Sequence, residues 1–434
     1  MYLIQDIMSE IWKPVSQSYK KAYANACKMD AKEIFEQLKD FKMSIIDYPS
    51  PYPKMNLLAT TGCHHAIKDG NLSGCSMCND SISRMSDSFA IVNALRHKDV
   101  GLYAKFVRAS FENKRGIIKE QTGTEVVTGC DCLNETEFPE EVYNELFGKN
   151  GVFQVRPFRY SFEIRADSIT KDKLDMMLRY IGKGRTFIEI GVEVSDEWIR
   201  NHWINKNVTD NQIETAIHLI KEAGCKVNAN LLTGVPGLTE EQSMHLFLKS
   251  VEKLMQMKVD RITFHPLNRK AYTLHNFIYE QLSDNARLAD IGIAQGEHTG
   301  LPWMFTMIES MARAFEMSPF LIRNFGVGQF NIFGGSDVLA YNQYRNCECN
   351  THLFDVIDSA MKTLDIGELM KARDTMKKDK CYENYLMLLE KQKKAGSIKN
   401  TLDVLGEEII KKIWPDCWEE KLEIFKMELA DLKY

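Results

Sequence analysis

The pattern of apolar and polar residues changes along the chain. Up to about residue 50, apolar residues recur at helical spacing, as in KEIFEQLKDFKMSII, until the prolines of DYPSPYPK interrupt the pattern. From Met55 onward, short apolar runs alternate with longer amphipathic segments. The short runs predict strands and the amphipathic segments predict helices.

Six strands are predicted between residues 55 and 270. They are MNLLATTG, TEVVTG, FRYSFEIRAD, TFIEIGVEV, KVNANLLTGVP and RITFHPLN. Helices between them imply parallel pairing through right-handed crossovers, because a tight turn cannot reach a parallel neighbour. The sequence therefore predicts an α/β fold, a partial (β/α)6 TIM-like barrel, although an open doubly wound sheet fits the same pattern. In both folds the chemistry gathers at the carboxyl ends of the strands.

This pattern predicts four regions. Residues 1–54 form an N-terminal helical extension, and residues 55–270 form the partial barrel. Residues 271–350 contain an apolar helix and the glycine-rich NFGVGQFNIFGGSD, and we expect them to close the active site. Residues 351–434 are rich in Lys and Glu and predict a C-terminal helical region.

Composition narrows the class of protein. With 434 residues, 44% of them hydrophobic, the chain can bury a large core. Its 11 cysteines are too few for a secreted disulfide scaffold. The N-terminal segment has neither a signal-peptide core nor a run of about 18 apolar residues. We therefore expect a cytoplasmic protein without a membrane partner. The net charge of −5 argues weakly against a surface built for nucleic acid.

Three cysteines follow the first predicted strand. Cys63, Cys75 and Cys78 have the spacing C-x11-C-x2-C in TTGCHHAIKDGNLSGCSMCND. They suit a zinc site with His64 or His65, a disulfide pair, a 4Fe–4S cluster, or three buried thiols. The spacing disfavours zinc, because adjacent residues rarely reach one ion and zinc ligands usually come as two short pairs. Three thiolates on a 4Fe–4S cluster would leave one iron open to another ligand.

The cysteine loop and four later blocks, FEIRADSIT, IEIGVEVSDEWIRNHWINKNVT, GCKVNANLLTGVPGLTEEQS and GLPWMFTMIE, together resemble the radical SAM superfamily. The similarity is to the branch typified by the elongator catalytic subunit, and more closely to the archaeosine radical SAM lyase family, over residues 55 to 350. It implies a 4Fe–4S cluster on Cys63, Cys75 and Cys78 with S-adenosylmethionine on the fourth iron. It also implies an external flavodoxin- or ferredoxin-type electron donor and cleavage of S-adenosylmethionine to a 5′-deoxyadenosyl radical.

Polar residues at the predicted strand ends are candidates for the cofactor site. In EIRAD, alternation would place Glu163, Arg165 and Asp167 on one strand face, where Arg165 could clamp a carboxylate, although a solvated strand end is an alternative. Glu193 resembles the ribose contact of the branch, or it pairs with Arg165 or Lys206. The expected cofactor-binding residues are Met77, Thr128, Gly129, Glu163, Arg165, Glu193, Thr233, Gly234 and Pro236.

Other residues are candidates for catalysis or substrate binding. Cys130 and Cys132 face the same way if their segment is a strand, and they are either reactive thiols or small buried residues. Together with Cys347 and Cys349 they could form a second metal site, for zinc or an auxiliary cluster. A histidine at a strand end is more often structural than catalytic. The candidates are Cys130, Cys132, Asp167, His265, Asn268, Cys347 and Cys349.

The substrate is less clear than the superfamily. No cluster of Lys and Arg beyond short runs such as MKKDK can be located in the sequence, which favours a small metabolite or an amino-acid-like or natural-product precursor. The alternative is a tRNA-modifying enzyme, because the branch includes enzymes that act on tRNA bases. A different class of function, a non-catalytic iron–sulfur or zinc-binding regulatory protein, also fits the cysteines.

Overall fold

The computed structural model describes residues 2–47, 53–68, 71–79, 86–318, 325–327, 338, 340–363 and 365–434. The glycine-rich segment expected to approach the active site lies outside the described residues, except for positions 325–327.

One eight-stranded sheet organises the molecule, with a small hairpin beside it. The strands are β1 (Ser44–Asp47), β2 (Lys54–Leu57), β3 (Ile67–Lys68), β4 (Asn71–Leu72), β5 (Thr124–Thr128), β6 (Arg159–Ile164), β7 (Thr186–Glu193), β8 (Lys226–Thr233), β9 (Arg261–Pro266) and β10 (Phe325–Val327). The sheet order is β1-β2-β5-β6-β7-β8-β9-β10, and β3 pairs with β4. Within the eight-stranded sheet, neighbouring strands from β2 through β10 are all parallel, whereas β1 is antiparallel to β2.

Helices connect the parallel strands and extend the chain at both ends. They are α1 (Leu3–Ile11), α2 (Lys13–Ala26), α3 (Ala31–Leu38), α4 (Ser86–Lys98), α5 (Val100–Arg115), α6 (Glu140–Phe147), α7 (Lys171–Ile181), α8 (Asp210–Glu222), α9 (Glu240–Gln256), α10 (Leu274–Leu282), α11 (Ala286–Asp290), α12 (Met304–Met317), α13 (Glu348–Thr363), α14 (Gly367–Thr375), α15 (Lys380–Gln392), α16 (Ile398–Ile413) and α17 (Trp418–Ala430).

The predicted fold is confirmed. The six expected strands are β2 and β5 to β9, they are parallel, and the sheet curls into a partial barrel. Three features were not expected from the sequence. Residues 44–47 form the edge strand β1 inside the extension predicted to be helical. The helical stretch after the cysteine loop is divided at Asp99, whose side chain accepts a hydrogen bond from the Leu102 N–H (2.9 Å) and caps α5. The segment after β7 contains a π-helical turn, Ile199–Trp203.

The two faces of the sheet differ in chemistry. One face carries buried apolar residues such as Phe162, Ile190 and Ala229, which pack into a core with the flanking helices. The opposite, concave face carries polar side chains that bond across neighbouring strands: Thr128 to Glu163, Ser161 to Glu189, and Thr263 to Asn228. A sheet covered by helices on one side therefore leaves a polar surface inside the half-barrel.

A second core joins the two ends of the chain. It contains Ile7 of α1, Trp203 of the π-helical turn and Phe425 of α17. The Glu428 side chain accepts a hydrogen bond from the Leu3 N–H (2.9 Å). The extension and the C-terminal helices thus pack on each other beside the barrel. Within the described residues, no helix combines the length and apolar character needed to cross a membrane.

Candidate functional site

The cysteine loop begins at the carboxyl end of β2. Gly62, with a φ of +81°, turns the chain just before Cys63. After Cys63 come a short helical turn, the β3–β4 hairpin, and a tight turn in which the Cys78 N–H donates to the Cys75 carbonyl (3.1 Å). The carboxyl edge of a parallel sheet is where the loops that carry chemistry emerge. The three cysteines therefore lie at the edge expected for an active site.

Hydrogen bonds hold the loop on the segment that follows β7. His65 Nε2 donates to the Asn205 carbonyl (2.5 Å), and Asn205 Nδ2 donates to the Gly74 carbonyl (2.6 Å). The Ser76 N–H donates to the Ile204 carbonyl (2.7 Å). Asn205 is buried and has a φ of +58°, a conformation that asparagine tolerates better than most residues. The loop is thus fixed on both sides of its hairpin.

Two of the loop thiols, those of Cys63 and Cys75, interact with buried cations. Burial raises the pKa of the Cys63 thiol to about 12, and the Arg165 guanidinium opposes that increase. The Arg165 and Lys206 cations both interact electrostatically with Cys75. Within the described residues, the three loop thiols are not among the groups that lie within 4.8 Å of one another. Three cysteine thiolates are the donor set that holds a 4Fe–4S cluster, so the chemistry of these residues fits that group.

Arg165 and Asp167 are placed differently from the sequence expectation. Strand β6 ends at Ile164, so Glu163, Arg165 and Asp167 do not continue along one strand face. The chain turns there, and Arg165 holds the Asp167 carboxylate through Nε (3.0 Å) and Nη2 (3.3 Å). Arg165 Nη2 also donates to the Lys206 carbonyl (2.8 Å). The carboxylate that Arg165 holds in the structure is that of Asp167, and a clamp on a cofactor or substrate carboxylate stays a prediction.

Glu193 forms an ion pair beside the cluster loop. Its carboxylate lies 2.8 Å from Lys206 Nζ, and both side chains are at most 10% exposed. Glu193 has a φ of +63° at an irregularity in the β7–β8 pairing, which turns the side chain at the strand end. Burial lowers the Lys206 pKa, but Glu193 and Cys75 outweigh burial and raise it. The sequence suggested that Glu193 contacts a ribose or pairs with Arg165 or Lys206. The structure contains the ion pair with Lys206.

Two buried acids near Thr128 and Gly129 were missed by the sequence reasoning. The Glu137 carboxylate accepts hydrogen bonds from Thr60 Oγ1 (2.7 Å) and the Asp131 N–H (2.9 Å), and burial raises its pKa to about 8. A Cβ at Gly129 would lie 2.8 Å from Thr60, so a glycine is needed for this approach. Asp131 is fully buried, bonds to Ser168, and lies 3.6 Å from His64 Nδ1. Both acids follow β5 in a polar loop without a recognisable spacing, so only the fold reveals them.

The remaining expected cofactor residues lie on neighbouring strand ends. Thr233 ends β8, and Gly234 follows with a φ of +103°, close to Leu267 and Pro302. The Pro236 carbonyl accepts a hydrogen bond from Trp203 Nε1 (2.7 Å), so it supports the π-helical turn. His265 lies in β9 opposite Leu232, and Asn268 follows that strand and is buried. Met77 lies between the second and third loop cysteines and packs against the second core.

Among the described residues, the four thiols considered together from the sequence, those of Cys130, Cys132, Cys347 and Cys349, do not form one group. Strand β5 ends at Thr128, so Cys130 and Cys132 do not lie in a strand. Cys132 is fully buried in the main core, where its Sγ contacts the Val127 carbonyl (3.5 Å). Cys347 and Cys349 instead form a group with Cys381.

A basic face lies at the opposite, amino end of β6 and β7. The Phe158 side chain is 48% exposed, and the Arg185 and Arg159 guanidinium groups lie 4.5 Å and 5.8 Å from its ring centroid. Arg156 donates to the Lys183 carbonyl (3.2 Å). Among the described residues, none of these four basic side chains forms an ion pair within 4.0 Å. The sequence did not show this group because its members come from separate segments.

No protein-family model matches the chain. A curated relative, an uncharacterized protein of Methanocaldococcus jannaschii, is 24% identical over 316 residues, which are 72% of this chain and 77% of the relative.

Solved structures that match this chain include the following three. The radical S-adenosylmethionine methyltransferase TsrM of Kitasatospora setae has a TM-score of 0.33 and 14% identity, covering 54% of this chain and 40% of TsrM. Elp3 of Methanocaldococcus infernus has a TM-score of 0.38 and 13% identity, covering 56% and 55%. The radical SAM enzyme coproporphyrinogen III oxidase of Escherichia coli has a TM-score of 0.32 and 14% identity, covering 58% and 48%. The chain thus spans 40–55% of these proteins, and such TM-scores do not support a shared substrate.

Proposed function

We propose that this protein is a radical SAM enzyme. The observation that carries the proposal is the placement of Cys63, Cys75 and Cys78 on one anchored loop at the carboxyl edge of a parallel half-barrel, facing the buried cations Arg165 and Lys206. Three thiolates there would hold a 4Fe–4S cluster and leave one iron for S-adenosylmethionine. When bound, the pair would supply a 5′-deoxyadenosyl radical, after reduction by an external flavodoxin- or ferredoxin-type donor.

The chain's own residues would bind and orient the cofactor. Thr128 and Gly129 form a turn beside the cluster loop, and Glu193, braced by Lys206, stands at the neighbouring strand end. The other cofactor contacts that we propose are Thr233, Gly234, Pro236 and Met77. Arg165 and Lys206 would also offset the negative charge of the thiolates, since nearby cations stabilise anions in a poorly solvated site.

For the substrate, we favour a small polar molecule, a metabolite or an amino-acid-like precursor. The concave face of the sheet offers hydrogen-bonding side chains, Ser161, Glu189, Asn228 and Thr263, in place of an apolar pocket. His265 and Asn268 stand at the carboxyl end of β9 and are our candidates for substrate contacts. Such a surface suits a polar substrate, because its groups can exchange their mutual hydrogen bonds for bonds to the ligand.

Metal analysis after anaerobic reconstitution tests the cluster. We expect about four irons and four sulfides per wild-type chain, and loss of most of both in C63A, C75A and C78A. C225A removes another buried thiol, and C27A removes an exposed one, so both are matched controls that should retain the cluster. Equal iron and sulfide in the loop variants and the controls would refute the proposal.

The basic face favours a second candidate function, modification of tRNA. Two arginines without ion pairs, Arg159 and Arg185, lie against the exposed Phe158 ring, and nucleic acid binding uses this combination of cations and stacking surfaces. The face lies at the strand ends opposite the cysteine loop, so it would serve for docking rather than catalysis.

Filter binding of tRNA across a salt series separates the two candidates. If tRNA is the substrate, affinity should fall with rising salt, and an R159A/R185A variant should bind more weakly with a shallower salt dependence. R313A, which alters an exposed arginine on α12, is the control. Retention that is absent, or unaffected by R159A/R185A, would exclude docking through this face.

A further inference from the structure

A compact group of three thiols lies outside the cluster loop. Cys347 precedes α13, Cys349 lies in the first turn of α13, and Cys381 lies in the first turn of α15. Cys347 Sγ is 3.0 Å from Cys349 Sγ and 3.5 Å from Cys381 Sγ, and all three sulfurs lie within 4.8 Å of one another. The fold thus brings together thiols that are 34 residues apart in sequence.

Contacts between thiols alone do not explain this arrangement. A thiol is a weak hydrogen-bond donor and a weak acceptor, so three of them gain little from one another. Asn342 Nδ2 donates to Cys349 Sγ (3.2 Å), and Asn342 is itself fixed, because its Oδ1 accepts from the Phe305 N–H (3.1 Å). An oriented N–H donor on sulfur is the kind of supporting contact that surrounds metal-bound ligands.

We propose that Cys347, Cys349 and Cys381 bind one zinc ion. Their sulfurs converge on a single point, which suits one ion rather than a cluster whose thiolates cap separate irons. Thiolates are soft ligands that select zinc over magnesium or calcium. The ligand set differs from the one expected from sequence, since Cys381 replaces Cys130 and Cys132.

Asp379 is the fourth ligand in this proposal. Its carboxylate interacts electrostatically with both Cys347 and Cys381, and it begins the same turn as Cys381. Its Oδ2 is buried and has no hydrogen-bond partner among the described residues. Carboxylate oxygen is an accepted zinc ligand.

The zinc would act as a cross-link between parts of the C-terminal region. It would join the starts of α13 and α15 to the segment that carries Asn342, which contacts the start of α12 through Phe305. A metal that binds only the folded arrangement stabilises it by its binding free energy. The site would therefore be structural and independent of the cluster.

Metal content of the full chain tests the site. We expect about one zinc per wild-type chain after anaerobic purification without added metal, and loss of most of it in C347A, C349A and C381A. C225A and C417A are the control variants and should keep the zinc. The triple variant C63A/C75A/C78A should lose iron but retain zinc, which separates this proposal from the function proposed above. Wild-type protein without zinc, or zinc that is unchanged in the three single variants, would overturn it.

A second measurement needs no cysteine variant, because the cysteine variants could unfold. Stepwise modification with a mercurial thiol reagent should release zinc to a coloured chelator, and peptide mapping should assign that release to the three thiols. In D379N, chelator competition should show at least about tenfold weaker zinc binding. A disulfide among the three cysteines in reduced protein would contradict the site, and unchanged affinity in D379N would contradict the assignment of Asp379.

Discussion

Glu193 and Lys206 depend on each other because both are buried. Removing the carboxylate in E193Q would leave the Lys206 ammonium without a charge partner at 10% exposure. Breaking a buried pair in this way costs about 3–5 kcal/mol of unfolding free energy. Urea unfolding should show this loss in E193Q and a smaller loss in E193Q/K206M, where no charge is left unpaired. E309Q, which breaks an exposed pair on α12, should change stability by less than about 1 kcal/mol. Equal losses in E193Q and E309Q would contradict the buried pair.

The Glu137 carboxyl should make stability depend on pH. Its pKa is about 8 in the folded protein and near 4.5 when unfolded. As pH rises from about 4.5 to 8, the unfolded chain loses this proton while the folded chain keeps it, so the free energy of unfolding falls. The shift corresponds to a loss of up to about 5 kcal/mol, fully developed above pH 8. In E137Q this contribution is absent. Urea unfolding at pH 5, 6.5 and 8 should therefore show wild type losing stability relative to E137Q, and parallel profiles would exclude the assignment.

At the scale of residues, the sequence predicted which side chains form a pair better than it predicted where side chains lie. It included Lys206 as a partner of Glu193, which the structure contains. It placed Arg165 and Asp167 on one strand face, which was wrong because β6 ends at Ile164. Alternation along a strand predicts side-chain direction only as far as the strand continues, and the residue at which a strand ends depends on packing. Glu137 and Cys381 were missed because their neighbours come from distant parts of the chain.

The segment after β7 is the element that holds the cysteine loop. Asn205 and Asn207 both have positive φ, +58° and +55°, but only Asn205 bonds to the loop, through Gly74 and His65. In N205A, alanine should tolerate this backbone conformation less well than asparagine, and the hydrogen bond to Gly74 should be lost. In N207A, only the tolerance for the backbone conformation should be lost. We expect N205A to be about 1–3 kcal/mol less stable than N207A and to retain less iron after reconstitution.

Iron analysis and urea unfolding of the two asparagine variants check this prediction directly. Because the backbone conformations match and Asn207 is exposed, N207A controls for strain alone. Equal iron content in N205A and N207A would mean that the bond to Gly74 is not needed to shape the loop.

At the scale of elements, the periodicity of the sequence predicted the six parallel strands. Strands that are buried under helices appear in the sequence as short apolar runs, and the right-handed crossover rule then determines their orientation. The edge strand β1 and the break at Asp99 were not predicted. Strand β1 forms because it pairs with β2. A new helix, α5, begins after Asp99 because the Asp99 side chain caps it.

The whole molecule is held together by the core between its two ends. Phe425 of α17 is buried at 2% exposure in that core, whereas Met427 on the same helix is 67% exposed. F425A should cost about 3–5 kcal/mol of unfolding free energy, because it leaves a cavity among α1, the π-helical turn and α16. M427A should stay within about 0.5 kcal/mol of wild type. Similar values for the two variants in urea unfolding would show that α17 does not pack on this core.

At this scale the sequence predicted a C-terminal helical region but not what it covers. Helical periodicity shows that a face is apolar without showing its partner, so the contact between Leu3 and Glu428 could not be foreseen. The basic face is a similar case. Its residues become one surface only when the starts of β6 and β7 lie side by side.

In our proposal, the anchored cysteine loop makes this protein a radical SAM enzyme rather than a metal-binding regulator. The most direct test is formation of 5′-deoxyadenosine from S-adenosylmethionine by anaerobically reconstituted, dithionite-reduced protein. The proposal predicts formation by wild type and C225A and none above background by C75A. Absence of 5′-deoxyadenosine from wild type whose cluster content is complete, or equal formation by C75A, would contradict it.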